Sequence, residues 1–139
     1  MMNLHIKVVG KRTRSLATWQ ENEKMILQKK GFLIFVKLKN EIISSSLFTH
    51  DFNTGTYFSS CSLRNYFEQY KNLTHLSIFY AIQQFQKINC KYFNIGTVKN
   101  IYSKEKLSQK EKNIYKFKKS FGGKRVTKVL FDKIPNTLL

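Results

Sequence analysis

Residues 32–62 read FLIFVKLKNEIISSSLFTHDFNTGTYFSSCS, and the fold class follows from how this stretch is punctuated. Three runs rich in β-branched and aromatic residues, at 32–38, 42–50 and 56–62, are separated by Lys39-Asn40-Glu41 and by residues 51–55. The second separator is rich in Asn, Asp and Gly, which accept positive φ and reverse a chain tightly. The three runs therefore predict an antiparallel meander.

Upstream, Ser15 can cap a helix that runs to about Lys30 and is stopped by Gly31. Leu16, Trp19, Glu23, Ile26 and Leu27 fall on one face at helical spacing. Residues 1–14 read as a basic, irregular arm. Downstream, a polar stretch over 63–73 leads to Thr74, which caps a helix over 75–89 with Ile78, Phe79, Ile82 and Phe85 as its apolar stripe. A short strand over 91–96 ends at Gly96, and a basic loop follows over 97–107. Ser108-Gln109-Lys110-Glu111 is a capping box that opens a helix ending at Gly122-Gly123. Residues 125–131 read as a last strand, with Pro135 in the tail. A meander followed by strand, helix and strand predicts an α/β (α+β) domain with a mixed, mainly antiparallel sheet and helices on its faces. The division expected is an arm at 1–14, one domain at 15–133 and a tail at 134–139.

The 139 residues suit a single domain, and 42% hydrophobic content excludes wholesale disorder. A net charge of +17 favours acidic partners: nucleic acid, phosphorylated ligands, an anionic membrane face. The bland explanation competes, because 21 of the 25 basic residues are Lys beside many Asn and Ile, which is how an AT-rich genome writes any protein. Cys61 and Cys90 make no CxxC, and His5, His50 and His75 are far apart, so no metal site is expected. The opening MMNLHIKVVGKRTRS lacks the long apolar segment of a secretory leader, and the apolar run at 32–36 is too short to span a bilayer. The expectation is a cytoplasmic protein with no integral membrane contact.

Three stretches go beyond composition: LHIKVVGKRTRSLATW (4–19), LTHLSIFYAIQQFQKINCKYFNIG (73–96) and EKNIYKFKKSFGGK (111–124). Together they resemble FemAB-like GNAT proteins, the group that includes peptidoglycan-bridge aminoacyltransferases and polysaccharide-cluster relatives. The most specific parts are Thr13-Arg14-Ser15 with Thr18-Trp19, and the helix that ends in residues 117–123. The resemblance implies a GNAT-like domain and acyl or aminoacyl transfer to a cell-envelope or surface-polysaccharide precursor. The implied donor is aminoacyl-tRNA or acyl-CoA, with no permanently bound cofactor. The implied partners are a sugar- or peptide-precursor acceptor, tRNA and a second GNAT-like subunit. Two departures stand out. Ordinary acetyl-CoA GNATs carry a Q/R-x-x-G-x-G/A turn whose backbone N–H groups hold pyrophosphate at a helix N-terminus, and residues 63–74 contain no Gly. Bridge-forming FemAB enzymes also carry two such domains, where this chain holds one.

Among single residues, Lys118 lies four after Ile114 and three before Phe121, inside the apolar stripe of the last helix. By pattern alone such a Lys snorkels to solvent; the resemblance places Phe117 and Lys118 by the transfer site, with Lys118 stabilising charge. Arg14 beside the Ser15 cap, and more weakly Arg12, are candidate anion contacts against the bland reading of surface basic residues. Glu23 is a candidate base against an edge-of-stripe carboxylate, and His75 and His5 are candidate ligands or bases against structural hydrogen bonding. Gly96 is a candidate for close substrate approach against a plain turn. The stretch 99–128 holds 11 basic and two acidic residues with Tyr102 and Tyr115 between them, a track for RNA or simply a solvated face. The alternatives to an enzyme are a non-catalytic module for tRNA or another polyanion, a partner subunit, and a shortened, inactive relative.

Overall fold

The three runs of the meander form β1 (Gly31–Leu38), β2 (Glu41–Asp51) and β3 (Thr54–Ser62) in the computed structural model, which describes residues 1–66, 69–98 and 106–127. Each reversal is a two-residue loop whose first residue takes positive φ, Lys39 at 52° and Phe52 at 43°. Such loops match the twist of the flanking strands, and here Lys and Phe bear the cost that Gly usually avoids. The sheet order is β1-β2-β3-β4, where β4 (Tyr92–Asn94) runs parallel to β3 and the other two pairings are antiparallel. The predicted mixed, mainly antiparallel sheet is therefore present. The strand expected over 125–131 lies largely outside the described residues, as does most of the loop at 97–107.

Two units make up the chain, Met1–Thr97 and Val98–Leu139. In the first, α1 (Met2–Val9), α2 (Leu16–Leu27) and α3 (Leu73–Lys87) accompany the sheet. α3 packs through Phe85, which lies 5.1 Å from Phe32 and 5.5 Å from Phe93 between ring centroids. Phe48, fully buried on the adjacent strand, stacks on Phe32 at 5.6 Å. Each fully buried aromatic contributes roughly 1.5–3 kcal/mol by leaving water, and each ring pair about 0.5–1.5 kcal/mol more. A second cluster gathers Ile43, Leu63 and Leu73, with Leu4, Val8, Tyr66 and Tyr70 packed against it.

Several local expectations need correcting. Residues 1–14 are not irregular throughout: α1 is a helix that ends at Gly10 in the left-handed region, and its Leu4 and Val8 reach the second cluster. Lys7 Nζ donates to Glu41 Oε1 at 2.8 Å, and Tyr66 Oη donates to Glu41 Oε2 at 2.8 Å, which fixes where α1 sits on the sheet. Ser15 does cap α2, accepting from the Thr18 amide at 3.2 Å. The helix stops by a Schellman motif with Lys29 at φ 58°, where Lys30 N donates to Met25 O and Lys29 N to Ile26 O. Gly31 is not the stop. It opens β1, where a Cβ would meet Phe48 O at 2.7 Å. The buried side of α2 is Trp19 and Asn22, while Glu23 and Leu27 are exposed. α3 begins at Leu73 with Asn72 as its N-cap, so Thr74 lies inside the helix, and Phe79 is exposed while Ser77 and Ala81 are buried.

Gly55 pairs with Phe93 across the parallel strands, and a Cβ there would meet the Phe85 ring at 2.6 Å. Gly55→Ala is expected to lower stability by about 1–3 kcal/mol through overpacking, read as a lower urea midpoint. Adding Phe85→Leu should recover part of the loss; an unchanged midpoint for Gly55→Ala alone would mean that α3 is not seated tightly on this strand.

Candidate functional site

The parallel pairing of β3 with β4 covers only Thr54↔Tyr92, Gly55↔Phe93 and Thr56↔Asn94. β4 then stops, while β3 continues to Ser62 with β2 on its other side. Among the described residues nothing pairs with the outer edge of β3 beyond Thr56. A bulge sits at this point: Leu47 pairs with Ser59 and Phe48 with Tyr57, so Phe58 is the extra residue. Bulges bend and re-aim a strand, here where the two parallel strands part.

The edge can be read residue by residue. Leu63 N donates to Ile43 O at 2.9 Å. Backbone alternation then turns the N–H and C=O groups of Cys61 and Ser59 toward β2, and those of Ser62 and Ser60 toward the open edge. The close Ser44 Oγ···Ser62 Oγ contact of 2.8 Å fits a pair of that non-hydrogen-bonded kind. The result is a short edge segment whose main-chain donors and acceptors point away from β2, with Ser62 itself only 6% exposed. Across from it, the chain leaving β4 turns at Gly96, whose φ of 88° suits glycine and whose N–H donates to Asn94 Oδ1 at 2.8 Å.

Tyr57 lies where the strands part. Its phenol hydrogen-bonds Ser60 Oγ, and burial pushes its ionisation above the ordinary tyrosine range, only partly offset by Ser60. It stays protonated through neutral pH. Burial likewise pushes the Cys61 thiol up, partly opposed by the Arg14 charge, so Cys61 is a protonated side chain rather than a ready nucleophile. The connection from β3 to α3 opens with a 3-10 turn, Arg64–Tyr66, and reaches an α3 N-terminus whose N-cap residue, Asn72, makes no side-chain cap.

The sequence-predicted residues fall into separate places. Arg14 lies over the Trp19 ring, 5.7 Å from its centroid, and His5 packs edge-on against the same ring at 5.4 Å. Arg12 is exposed in the loop before α2. His75 is half-buried in the first turn of α3, and Gly96 leaves β4. In the second unit, α4 (Gln109–Lys119) carries both hydrogen bonds of the expected capping box between Ser108 and Glu111. On it Phe117 packs edge-on against Phe121 at 5.3 Å. Phe117, Lys118 and Phe121 are half-buried, whereas Lys112, Lys116 and Lys119 are exposed, and burial pushes the Lys118 ammonium below the usual lysine range. Tyr57, Ser60 and Ser62 were missed because an open strand edge has no sequence signature; the short strand at 91–96 beside a long third strand was the available hint.

No protein-family model matches the sequence, and no curated protein matches it. Solved structures do match. The chain is similar to an aminoglycoside antibiotic 6'-N-acetyltransferase from Acinetobacter haemolyticus at 13% identity and TM-score 0.65, covering 96% of this chain and 88% of that one. It is similar to AAC(6')-Iy bound to the bisubstrate analogue CoA-S-monomethyl-acetylneamine, at 12% identity and TM-score 0.67 with the same coverage of 96% and 88%. A transcriptional regulator from Bacillus halodurans matches at 13% identity and TM-score 0.62, over 89% of this chain and 81% of that one. At these identities the likeness establishes the fold, and that fold is the GNAT fold of acetyltransferases. Among the described residues no helix is long and apolar enough to cross a membrane.

The placement of Lys118 yields a direct expectation. Competitive acylation of the folded protein, followed from about pH 8 to pH 12, should give a reactivity midpoint for Lys118 below the 10.5 of an unperturbed lysine. A midpoint at or above that value would show an ammonium group as solvated as a free one.

Proposed function

We propose that this chain is an acyltransferase that holds the extended arm of an acyl donor along the open edge of β3. The observation that carries this reading is the early end of the β3–β4 pairing at Thr56 and Asn94, which among the described residues leaves the edge at Ser60 and Ser62 unmatched on a fold shared with acetyltransferases. An arm bearing amides can lie there as a short added strand. Acyl-CoA has such an arm, and one structural neighbour is described in complex with CoA. The acceptor amine or hydroxyl attacks the thioester carbonyl carbon, the C–S bond breaks, the acceptor nitrogen or oxygen loses its proton, and the sulfur leaves as thiolate and takes up a proton, so that one proton passes in net from acceptor to thiol. Positioning accounts for much of such a rate, and backbone N–H groups aimed at the carbonyl oxygen stabilise its transient charge. Tyr57, whose hydroxyl bonds Ser60 on the same strand and is protonated at neutral pH, is our candidate proton donor to the leaving sulfur. The glycine-rich phosphate turn is missing from residues 63–74; in its place, the first turn of α3, where Asn72 makes no side-chain cap, with Arg64 and Lys71 before it, supports a phosphate-bearing donor.

The finer assignment rests on the resemblance of residues 4–19, 73–96 and 111–124. On that basis we assign the acceptor to the sugar or peptide precursors of the cell envelope or surface polysaccharide, met in the cytoplasm, and Lys118 beside Phe117 to charge stabilisation in the transfer. The charge of +17 favours aminoacyl-tRNA as the competing donor, and a second subunit of the same fold is the partner that would complete a two-domain arrangement.

Calorimetric titration with acetyl-CoA tests the donor, with saturable micromolar binding expected. Ser60→Pro removes an N–H group from the open edge without breaking the ladder to β2, since proline is tolerated on strand edges. It should weaken that binding by about tenfold or more while the fold is kept. Absence of acetyl-CoA binding in the unmodified protein would sink the CoA reading and leave aminoacyl-tRNA as donor. Once an acceptor is in hand, Lys118→Ala should lower kcat by about a hundredfold, the scale of one lost charge-stabilising contact. A variant with full activity and unchanged acceptor KM would remove Lys118 from the mechanism.

A further inference from the structure

Three buried nitrogens around the α1–α2 pair have no hydrogen-bond partner among the described residues: His5 Nδ1, Trp19 Nε1 and Asn22 Nδ2. Trp19 and Asn22 are only 8% and 6% exposed, and they stand three residues apart on the same side of α2. The His5 ring meets the Trp19 ring at 5.4 Å, and the Arg14 guanidinium lies over that ring at 5.7 Å. Two side chains, His5 and Arg14, thus meet one indole, and the buried Asn22 stands one helical turn along from it. Folded proteins pair nearly all such buried groups with protein, ordered water or ligand, so three orphans at one place call for a partner.

The chemistry of the set is one-sided. The indole Nε1 and the Asn22 Nδ2 only donate, Arg14 only donates, and His5 Nδ1 donates in one tautomer or when charged. Among the described residues no carboxylate is paired with Arg14; Glu21 and Glu23, on the same helix, are exposed. Three of the four groups, the indole N–H, the Asn22 amide nitrogen and the Arg14 guanidinium, can only donate and so match a group that accepts, and the planar guanidinium fits the two oxygens of a carboxylate or phosphate.

Resting on the acyltransferase reading, we propose that His5, Arg14, Trp19 and Asn22 form the acceptor subsite for an anionic oxygen group, carboxylate or phosphate, carried by a hydroxylated small molecule. The polycationic aminoglycosides named for several structural neighbours are the wrong charge for this chain, which has 25 basic and eight acidic residues.

Trp19 is the sole tryptophan beside seven tyrosines, so emission excited at the red edge of the absorption band, where tyrosine does not absorb, reports on this ring alone. Emission is titrated with glucuronate, inorganic phosphate, glucose and kanamycin, while acetyl-CoA binding is followed separately by calorimetry. The proposal expects a saturable change with glucuronate or phosphate, the two arms telling carboxylate from phosphate, and none with glucose or kanamycin. Arg14→Gln should weaken the response about tenfold and Arg14→Lys, which keeps charge but loses the fork, by less; acetyl-CoA affinity should stay as in the unmodified protein. No emission change with either anion, an equal change with glucose, or an anion response untouched by both Arg14 variants overturns the subsite and leaves the three nitrogens to ordered water. An Arg14-dependent anion response in a protein that binds no acetyl-CoA would support the subsite and sink the CoA-dependent reading.

Discussion

Gly55 has no side chain, and the Phe85 ring occupies the place where one would begin. Because the ring reaches the strand there, α3 lies close against β3 at the level where β4 pairs with it, and Phe93 of β4 closes on the other side of the same ring. The aromatic group of Phe32, Phe48, Phe85 and Phe93 thus fixes two parallel strands side by side for three residues. Beyond that clamp nothing comparable joins them. The bulge at Phe58 and the turn at Gly96 follow at once, and the open edge of β3 is the direct result. A clamp longer by two residues would have closed the edge with protein.

The serine run of β2 belongs to the same economy of space. Ser44, Ser45 and Ser46 are fully buried in the middle of the sheet, where larger apolar residues are usual. Ser44 is satisfied by Ser62 across the ladder, and so ties β2 to the segment of β3 that β4 leaves uncovered. With its outer neighbour gone, that segment depends on β2 for its position. The Ser44–Ser62 hydroxyl pair bonds across the ladder and helps hold this segment in register.

What could be read from the sequence divides along the line between local and non-local causes. The reversals at Lys39-Asn40 and Phe52-Asn53, the Ser15 cap and the Ser108–Glu111 capping box are set by residues within three or four positions, and all were legible. The left-handed stops at Lys29 and Asn89 were not, because the usual glycine is absent and tertiary packing imposes the conformation on costlier residues. α1 escaped notice because it has no fully buried residue; a half-covered, lysine-bearing helix held by Leu4, Val8 and an exposed Lys7–Glu41 pair looks like a basic arm. On α2, the apolar Leu27 invited a place on the inner face that the polar Asn22 holds. Arg14 and Lys118 could be singled out from position alone. The partners that give Arg14 its setting, His5 and Asn22, became visible only once two helices were laid together.

A strand edge whose working groups are backbone N–H and C=O makes few demands on side chains. Any residue can supply an edge amide, provided the strand is long, the neighbour short and the parting bulge in place. Identities of 10–13% alongside TM-scores above 0.6 show that the fold persists while the sequence drifts. The acceptor side is different, because charge and shape there must come from side chains. Selectivity in this fold should therefore be written in the α1–α2 pair and not along β3. On this chain that pair presents an arginine over a single indole, with buried donors and no carboxylate paired with the arginine among the described residues, so on the reading proposed above differences in substrate between this protein and its structural neighbours are expected to map onto those four residues first.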